Sequence, residues 1–277
     1  MFRLRLATIL AATLMPFAAQ AQSLPPDIAQ KGVINVDLNA DYPPLELHDP
    51  KTNKVVGFDI DLASAAAEVL GVKLNWQEGA FEQMTPSLQS GRSDMIMSGF
   101  YDIPKRRGMF DFIDYLRAGG AFYTTTDNTD LKTITDLCGK TVTTSEGTNF
   151  PLTIKAWSDK TCVAAGKPPV TVISDSDLAQ ELTNLRTGRA DAAMQGLETI
   201  PTIVAMQGGN KYRPLGEHIS STLMGAAFQK SDTQLRDAFR AALLKTVSDG
   251  TYATLIKKWK LDYSAYPAMT INEGPAP

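Results

Sequence analysis

Apolar and polar residues follow one another along this chain in short blocks, and the period switches repeatedly between that of a strand and that of a helix. Gly32-Val-Ile-Asn-Val36 opens a strand, and Lys73 to Trp76 alternates like another. Between them, Phe58 leads into Asp59-Ile-Asp-Leu-Ala-Ser-Ala-Ala-Ala-Glu-Val-Leu70, a helix stopped by Gly71. Its early Asp59 and Asp61 suit the positive end of the helix dipole. Phe81, Met84 and Leu88 share one face of a second helix, which Pro86 interrupts. Asp41-Tyr-Pro-Pro-Leu45 reads as a loop, since two prolines cannot sit inside a sheet. Asp49 to Asn53 is a polar turn. Beyond residue 140 the alternation resumes, with strands over 140–144, 170–173 and 192–195. Helices are predicted from Gly147-Thr-Asn-Phe-Pro151, with Pro in the first turn, and over 177–187. Ser231-Asp-Thr-Gln234 has the spacing of a capping box and opens an amphipathic helix. Leu235, Phe239, Leu243 and Val247 share its apolar face and Gly250 stops it, while Tyr252, Leu255, Ile256 and Trp259 make a second such face. From Asn272 onward the chain reads as a loose tail. Strands and helices in alternation predict an α/β fold, its parallel-rich sheets flanked by helices.

One pattern occurs twice. Leu88-Gln-Ser-Gly-Arg-Ser-Asp-Met-Ile-Met-Ser-Gly-Phe100 returns, weaker, as Leu185-Arg-Thr-Gly-Arg-Ala-Asp-Ala-Ala-Met-Gln-Gly-Leu197. Each copy ends a helix, sets Gly91 or Gly188 where a left-handed cap is needed, turns through Arg and Asp, and runs into a short apolar strand. The interval is constant, so one lobe architecture is used twice. Ala118 to Thr124 and Ser221 to Phe228 are small-residue, extended stretches on either side of the second copy, where the chain crosses between lobes and returns. The expected division is lobe 1 over 24–117 plus 223–277, and lobe 2 over 118–222.

The first 21 residues read as a signal peptide rather than as fold. Arg3 and Arg5 precede an apolar run from Leu6 to Phe17, and Ala19-Gln-Ala21 is a cleavage site used after Ala21. The run is too short to anchor in a bilayer, and no later stretch qualifies, so an exported, soluble protein is expected. Losing two arginines takes the formal charge from -3 to about -5. With no basic run either, nucleic acid is not an expected partner. In an oxidising compartment Cys138 and Cys162 can pair; the alternative is two unrelated buried thiols, and export favours the bridge. His48 and His218 are far apart and lack metal-ligand spacing. A phosphate loop, a dinucleotide fingerprint and a nucleophile elbow are absent, so no metal or cofactor is expected; the many carboxylates leave a general acid open.

What stands out is an anion clamp. Arg106 follows Pro104 just past a strand end, where open α/β sheets place ligands, and a guanidinium there holds a carboxylate through two parallel bonds. In the other lobe Gly147-Thr148-Asn149 lies between a strand and a helix start, where backbone donors and a hydroxyl also favour an anion. Alone, Arg106 beside Lys105 and Arg107 is as readily a surface residue, and Gly147-Thr148 a plain cap. Their pairing across two lobes favours a site.

With these residues the sequence resembles the polar amino-acid-binding family of periplasmic solute-binding proteins that feed ABC importers. The resemblance is carried by Tyr42-Pro-Pro44, Gly57-Phe-Asp-Ile-Asp-Leu62, Leu88-Gln-Ser-Gly91, Asp94, Pro104-Lys-Arg106, Asp111-Phe112, Asp136-Leu-Cys-Gly-Lys140, Gly147-Thr148 and Gly188-Arg-Ala-Asp191. It implies a two-lobed periplasmic binding protein fold of type II with two crossover strands. It also implies a non-enzymatic monomer that captures an amino acid or other small carboxylated solute between its lobes and delivers it to a membrane permease. By the same resemblance Arg106 and Thr148 hold the ligand carboxylate, Tyr42 packs on the ligand, and Gly99, Phe100 and Tyr101 supply contacts. Ser145, Gly147, Asn149, Gln195 and Glu198 complete the candidate set. Of the aromatics, Phe58 and Phe81 are expected in the core, and Phe100 and Tyr101 at the ligand.

Two positions depart from the family pattern. Ile103 replaces a usual Thr before the Pro-x-Arg segment, and Gly196 stands where an Asp usually receives the ligand ammonium. Either Glu198, Asp102 or Asp41 takes over, or the ligand lacks a standard α-amine. A second reading, also by resemblance, is an enzyme on the same scaffold, such as a cyclohexadienyl dehydratase.

Overall fold

The computed structural model describes residues 23–275; the expected signal peptide lies outside them. Two mixed sheets carry the fold, and they share one layout. In the first, Val33–Leu38 runs parallel to Lys73–Glu78 on one side and to Met95–Ile96 on the other. Thr222–Gln229 then pairs antiparallel with Met95–Ile96, followed by Phe110–Ala118 and Ala265–Ile271, also antiparallel, while the short strand Tyr101–Asp102 adds to Thr222–Gln229. In the second, Thr141–Ser145 runs parallel between Thr171–Asp175 and Ala192–Gly196, and Gly120–Thr125 and Tyr212–Leu215 add antiparallel beyond. The strands of the two sequence copies, Met95–Ile96 and Ala192–Gly196, occupy the same place in each sheet, between the parallel centre and a crossing strand. Gly91 and Gly188 close the preceding helices, Phe81–Gln89 and Leu178–Arg186, with left-handed φ of +73° and +69°.

Phe110–Ala118 of the first sheet runs through Gly119 straight into Gly120–Thr125 of the second, and the return segment leads into Thr222–Gln229. The two crossing segments pack backbone on backbone. A Cβ on Gly119 would lie 2.2 Å from the Ser220 carbonyl oxygen, and the Gly120 amide donates to Ser220 Oγ at 2.9 Å. Apolar faces of Phe58–Leu70 and Thr233–Ser248 cover the first sheet, with Phe58, Leu62, Leu235, Phe239 and Leu243 buried and Val247 half-buried. Phe150–Thr161 and Leu178–Arg186 cover the second. Cys138 and Cys162 form a disulfide that ties the start of the second lobe's sheet to the end of the helix Phe150–Thr161. Among the described residues no helix is long and apolar enough to cross a membrane.

Three local expectations are corrected. Asp41–Tyr42 is a short strand paired with Glu46–His48, and only Pro43-Pro44-Leu45 make the turn. The capping box at Ser231 does not form: the Gln234 amide is drawn to the carbonyls of Ser23 and Leu24, and Asp232 precedes the helix without a side-chain cap. The segment after Asn272 is docked. Arg107 donates to the carbonyls of Asn272 and Gly274, and the amides of Glu273 and Gly274 reach Asp114 and Asp102. An isolated polar tail has no period to betray such partners.

Candidate ligand-binding site

Between the two sheets lies a cavity with an internal volume of about 40 Å³, room for on the order of three waters, so a larger solute fits only when its walls move apart. Its polar walls lie at or just beyond the carboxyl ends of the parallel strands, where α/β sheets open to ligands. Asn39 follows Val33–Leu38, Ser98 and Gly99 follow Met95–Ile96, Ser145 ends its strand, and Ser176 and Asp177 follow Thr171–Asp175. The first lobe adds Asp41, Tyr42, Phe81, Glu82, Tyr101 and Arg106, and the second Glu146, Thr148, Asn149 and Phe150.

Arg106 is the dominant charge. It sits in the single-turn helix Pro104–Arg107, whose opening proline fixes the turn, and it is only 7% exposed. Its guanidinium lies over the Phe100 ring at 3.8 Å, and Nη1 donates to the Tyr101 carbonyl at 3.1 Å. Among the described residues no carboxylate pairs with it. Burial pulls its pKa down to about 10, so it is charged at neutral pH without an ion-pair partner among the described residues. Such a charge is costly until an anion enters, and a carboxylate is the anion whose geometry fits the fork.

Four carboxylic acids, Asp41, Glu82, Glu146 and Asp177, line the same cavity. Asp177 caps the helix Leu178–Arg186 by accepting from the Gln180 amide at 2.7 Å. Asp41, from the other lobe, accepts from the Leu178 amide of the same helix at 2.5 Å. Burial raises Asp41 above the usual carboxylate range, and Asp177 nearby adds to the rise.

Of the eleven binding residues expected from sequence, seven line the cavity: Tyr42, Gly99, Tyr101, Arg106, Ser145, Thr148 and Asn149. The other four stand one layer back. Phe100 is buried under the Arg106 guanidinium, stacked on Phe112. Gly147 packs its backbone on Glu82, where an added Cβ would meet Glu82 Cβ at 2.9 Å. Gln195 donates to Ser145 Oγ and to the buried Glu181, each at 2.8 Å. Glu198 accepts the hydroxyls of Tyr42 and Tyr101 at 2.7 and 2.8 Å, so the two rings stand between it and the cavity. Two expected donors are already engaged: the Thr148 hydroxyl donates to the Ser145 carbonyl at 2.8 Å, and the Gly99 amide to Asp59 at 3.0 Å.

Sequence reasoning missed that Phe81, packed against the core at Phe100 as expected, also lines the cavity, and it missed Glu82, Glu146, Ser176 and Asp177. Their signal was position, immediately after a strand end or at a helix start in a unit already read as α/β. As for the acids weighed against Gly196, Asp102 is fully buried against Gly274 and Arg107, on the face away from Tyr101. Asp41 alone of the three lines the cavity.

Two α/β lobes, joined by two crossing segments and closing polar walls over a buried unpaired cation, define a two-lobed receptor for a small anionic or zwitterionic solute. Comparison with known proteins agrees. The arginine-binding protein ArgT of Corynebacterium glutamicum is 30% identical over 252 residues, 91% of this chain and 82% of that protein. The histidine-binding periplasmic protein of Salmonella typhimurium is 27% identical over 84% of this chain and 89% of its own length. Among solved structures, a mutant of the arginine-binding protein ArgBP from T. maritima superposes with a TM-score of 0.74 at 30% identity, covering 88% of this chain and all of that one. An ancestral arginine-binding protein bound to glutamine gives a TM-score of 0.74 at 31% identity, over 82% of this chain and 97% of that one. The model of the bacterial extracellular solute-binding proteins, family 3, matches residues 34–262, and the chain belongs to that family. It is a solute-binding protein and not an enzyme.

Proposed function

We propose that this chain is the periplasmic receptor of an amino-acid ABC importer, and that its ligand is a cationic amino acid. The observation that carries the reading is the charge pattern of the cavity, whose lining holds one buried guanidinium and four carboxylic acids. Arg106 takes the ligand carboxylate, helped by backbone amides of the Gly147–Asn149 turn. The acids take its cationic groups, Asp41 meeting the α-ammonium in place of a carboxylate at Gly196. The rings of Tyr42, Tyr101 and Phe81 pack on its apolar stem. The names of several relatives, which refer to arginine, lysine, ornithine and histidine, support this class.

Residues 24–117 with 223–277 form one lobe and 118–222 the other, and ligand contacts to both favour the closed state. The protein is exported by a signal peptide cut after Ala21, works as a soluble monomer in the periplasm, does not bind nucleic acid, and hands its solute to a membrane permease. The test is calorimetry on mature protein stripped of ligand by unfolding and refolding, against L-arginine, L-ornithine, L-glutamine, L-glutamate and the decarboxylated analogue agmatine. Binding of arginine or ornithine, weaker binding of glutamine and none of glutamate or agmatine is expected. Equal binding of agmatine and arginine would refute the role given to Arg106, and preference for glutamate would refute that given to the acids.

A further inference from the structure

Glu198 is fully buried, yet it does not line the cavity. It belongs to the second lobe, in the turn after Ala192–Gly196, while its partners Tyr42 and Tyr101 belong to the first. One carboxyl oxygen, Oε1, accepts both phenol hydroxyls at 2.7 and 2.8 Å, and the two hydroxyls lie 3.3 Å apart. Oε2 is buried without a hydrogen-bond partner among the described residues. Tyr263, from the first lobe's last segment, closes the group from outside by donating to the Glu198 carbonyl at 3.0 Å. The room comes from Gly196, where a Cβ would lie 2.0 Å from Glu198 Oε1 and 2.1 Å from the Tyr42 hydroxyl. The three bonds from tyrosine hydroxyls to Glu198 span the two lobes and break when the lobes part.

We propose that Glu198 is a positioning residue of the binding reaction: it gathers Tyr42 and Tyr101 into the cavity wall and ties the two lobes together before any ligand is bound. Gly196 is the opening that admits it. The tie favours a closed or nearly closed ligand-free state, so that less of the ligand's binding free energy is used to close the cleft. It is also linked to pH. Burial pushes the Glu198 carboxyl up to about 7, while the tyrosine hydroxyls pull the other way. The groups facing it are Tyr42, Tyr101 and Tyr263, all phenols raised above their ordinary value and neutral through this range. In the open cleft, with water at the carboxyl, the pKa returns toward the ordinary carboxylate value. The closed form therefore holds its proton more tightly. Closure is strongest at low pH and weakens as pH rises through about 7.

The experiment uses the full mature chain, stripped of ligand, and reads its radius of gyration by small-angle X-ray scattering at pH 5.5 and 8.5. Wild type should be more compact at the lower pH. Glu198→Gln keeps an acceptor for both hydroxyls but cannot ionise, so it should be compact at both. Glu198→Ala and Gly196→Ala, which empty and overfill the same space, should both be expanded at both. With L-arginine as probe, each alanine variant should bind about tenfold more weakly, the worth of two hydrogen bonds, and Glu198→Gln should restore affinity. Circular dichroism melts exclude the trivial loss of fold. A wild-type radius equal at the two pH values together with an unexpanded Glu198→Ala would overturn the proposal, as would Glu198→Gln expanding like Glu198→Ala. The scattering arm needs no ligand, so it succeeds or fails independently of which solute is bound.

Discussion

Arg106→Ala separates a binding role from a structural one because the two predict opposite balances. The guanidinium stacks on Phe100 and donates one hydrogen bond to the Tyr101 carbonyl. The stacking contributes up to about 2 kcal/mol, and a hydrogen bond from a charged donor about 1.5 kcal/mol. Against this stands the cost of holding a cation that is 7% exposed and has no ion-pair partner among the described residues, several kcal/mol. These terms nearly cancel, so the melting point of ligand-free Arg106→Ala should stay within about 3 °C of wild type, about 1 kcal/mol for a domain pair of this size. Binding loses far more. Two charge-assisted bonds to the ligand carboxylate are worth about 3–5 kcal/mol together, a loss of two to three orders of magnitude in affinity. Arg106→Lys keeps the charge but neither fork nor stacking and should fall between. Isothermal titration with L-arginine gives the affinity, and a melt with and without ligand gives the stability. Arg106→Ala binding within threefold of wild type would refute the clamp. A ligand-free melting point lower by 10 °C would make Arg106 a structural residue instead.

The remaining expectations follow from single contacts. Replacing Cys138 and Cys162 with Ser should lower stability by about 3 kcal/mol, the loop-closure term for a loop of this length, seen in the melt and leaving arginine affinity unchanged because the bridge lies away from the cavity. Gly99→Ala adds a Cβ 2.6 Å from the Tyr42 ring at a backbone φ of +54°, so it should cost about 1–2 kcal/mol of stability and also weaken binding in calorimetry by displacing that ring. Glu181 is buried in the second lobe with its pKa raised to about 8 by burial, so the folded state holds its proton more tightly than the unfolded. Its contribution is present below the unfolded carboxylate value and is lost as pH rises through about 8, so denaturant midpoints should fall between pH 5 and 8, and less steeply in Glu181→Gln. Arg107→Ala releases the C-terminal segment and strips the ion-pair partner from the buried Asp102; a loss of about 3 kcal/mol in chemical denaturation is expected, with arginine affinity nearly unchanged.

Much of the fold is legible in the sequence because its signals are local. The helix Phe58–Leu70 carries its acidic start, apolar stripe and terminal glycine within its own length, and it appears where those signs place it. The repeated Leu-x-x-Gly-Arg-x-Asp pattern placed two strands at equivalent positions in two sheets, because each copy caps its helix and turns by the same means. The failures have the opposite character. Gln234 has the spacing of a capping residue, but its amide is taken by carbonyls more than two hundred positions earlier in the chain. The last residues carry no apolar period, and what holds them is Arg107, Asp102 and Asp114, which no pattern within the tail announces.

The site divides along the same line, and the division says where its specificity resides. Arg106 and the turn near Thr148 were visible because a strand end followed by a cation, or by a glycine and a hydroxyl, has few other uses. Of the four acids only Asp41 was singled out; Glu82, Glu146 and Asp177 were not, since carboxylates at strand ends and helix starts are common and acquire meaning only when two lobes bring them into one cavity. Gly196 was the informative anomaly. Read alone it is a missing charge; in the structure it is a space filled by Glu198, two residues on and hydrogen-bonded to tyrosines of the other lobe. The carboxylate at this strand end stands in the tie between the lobes rather than in the cavity wall. A chain altered in this way keeps its acidic cavity through Asp41 and its neighbours, and makes closure depend on its own side chains as well as on its ligand.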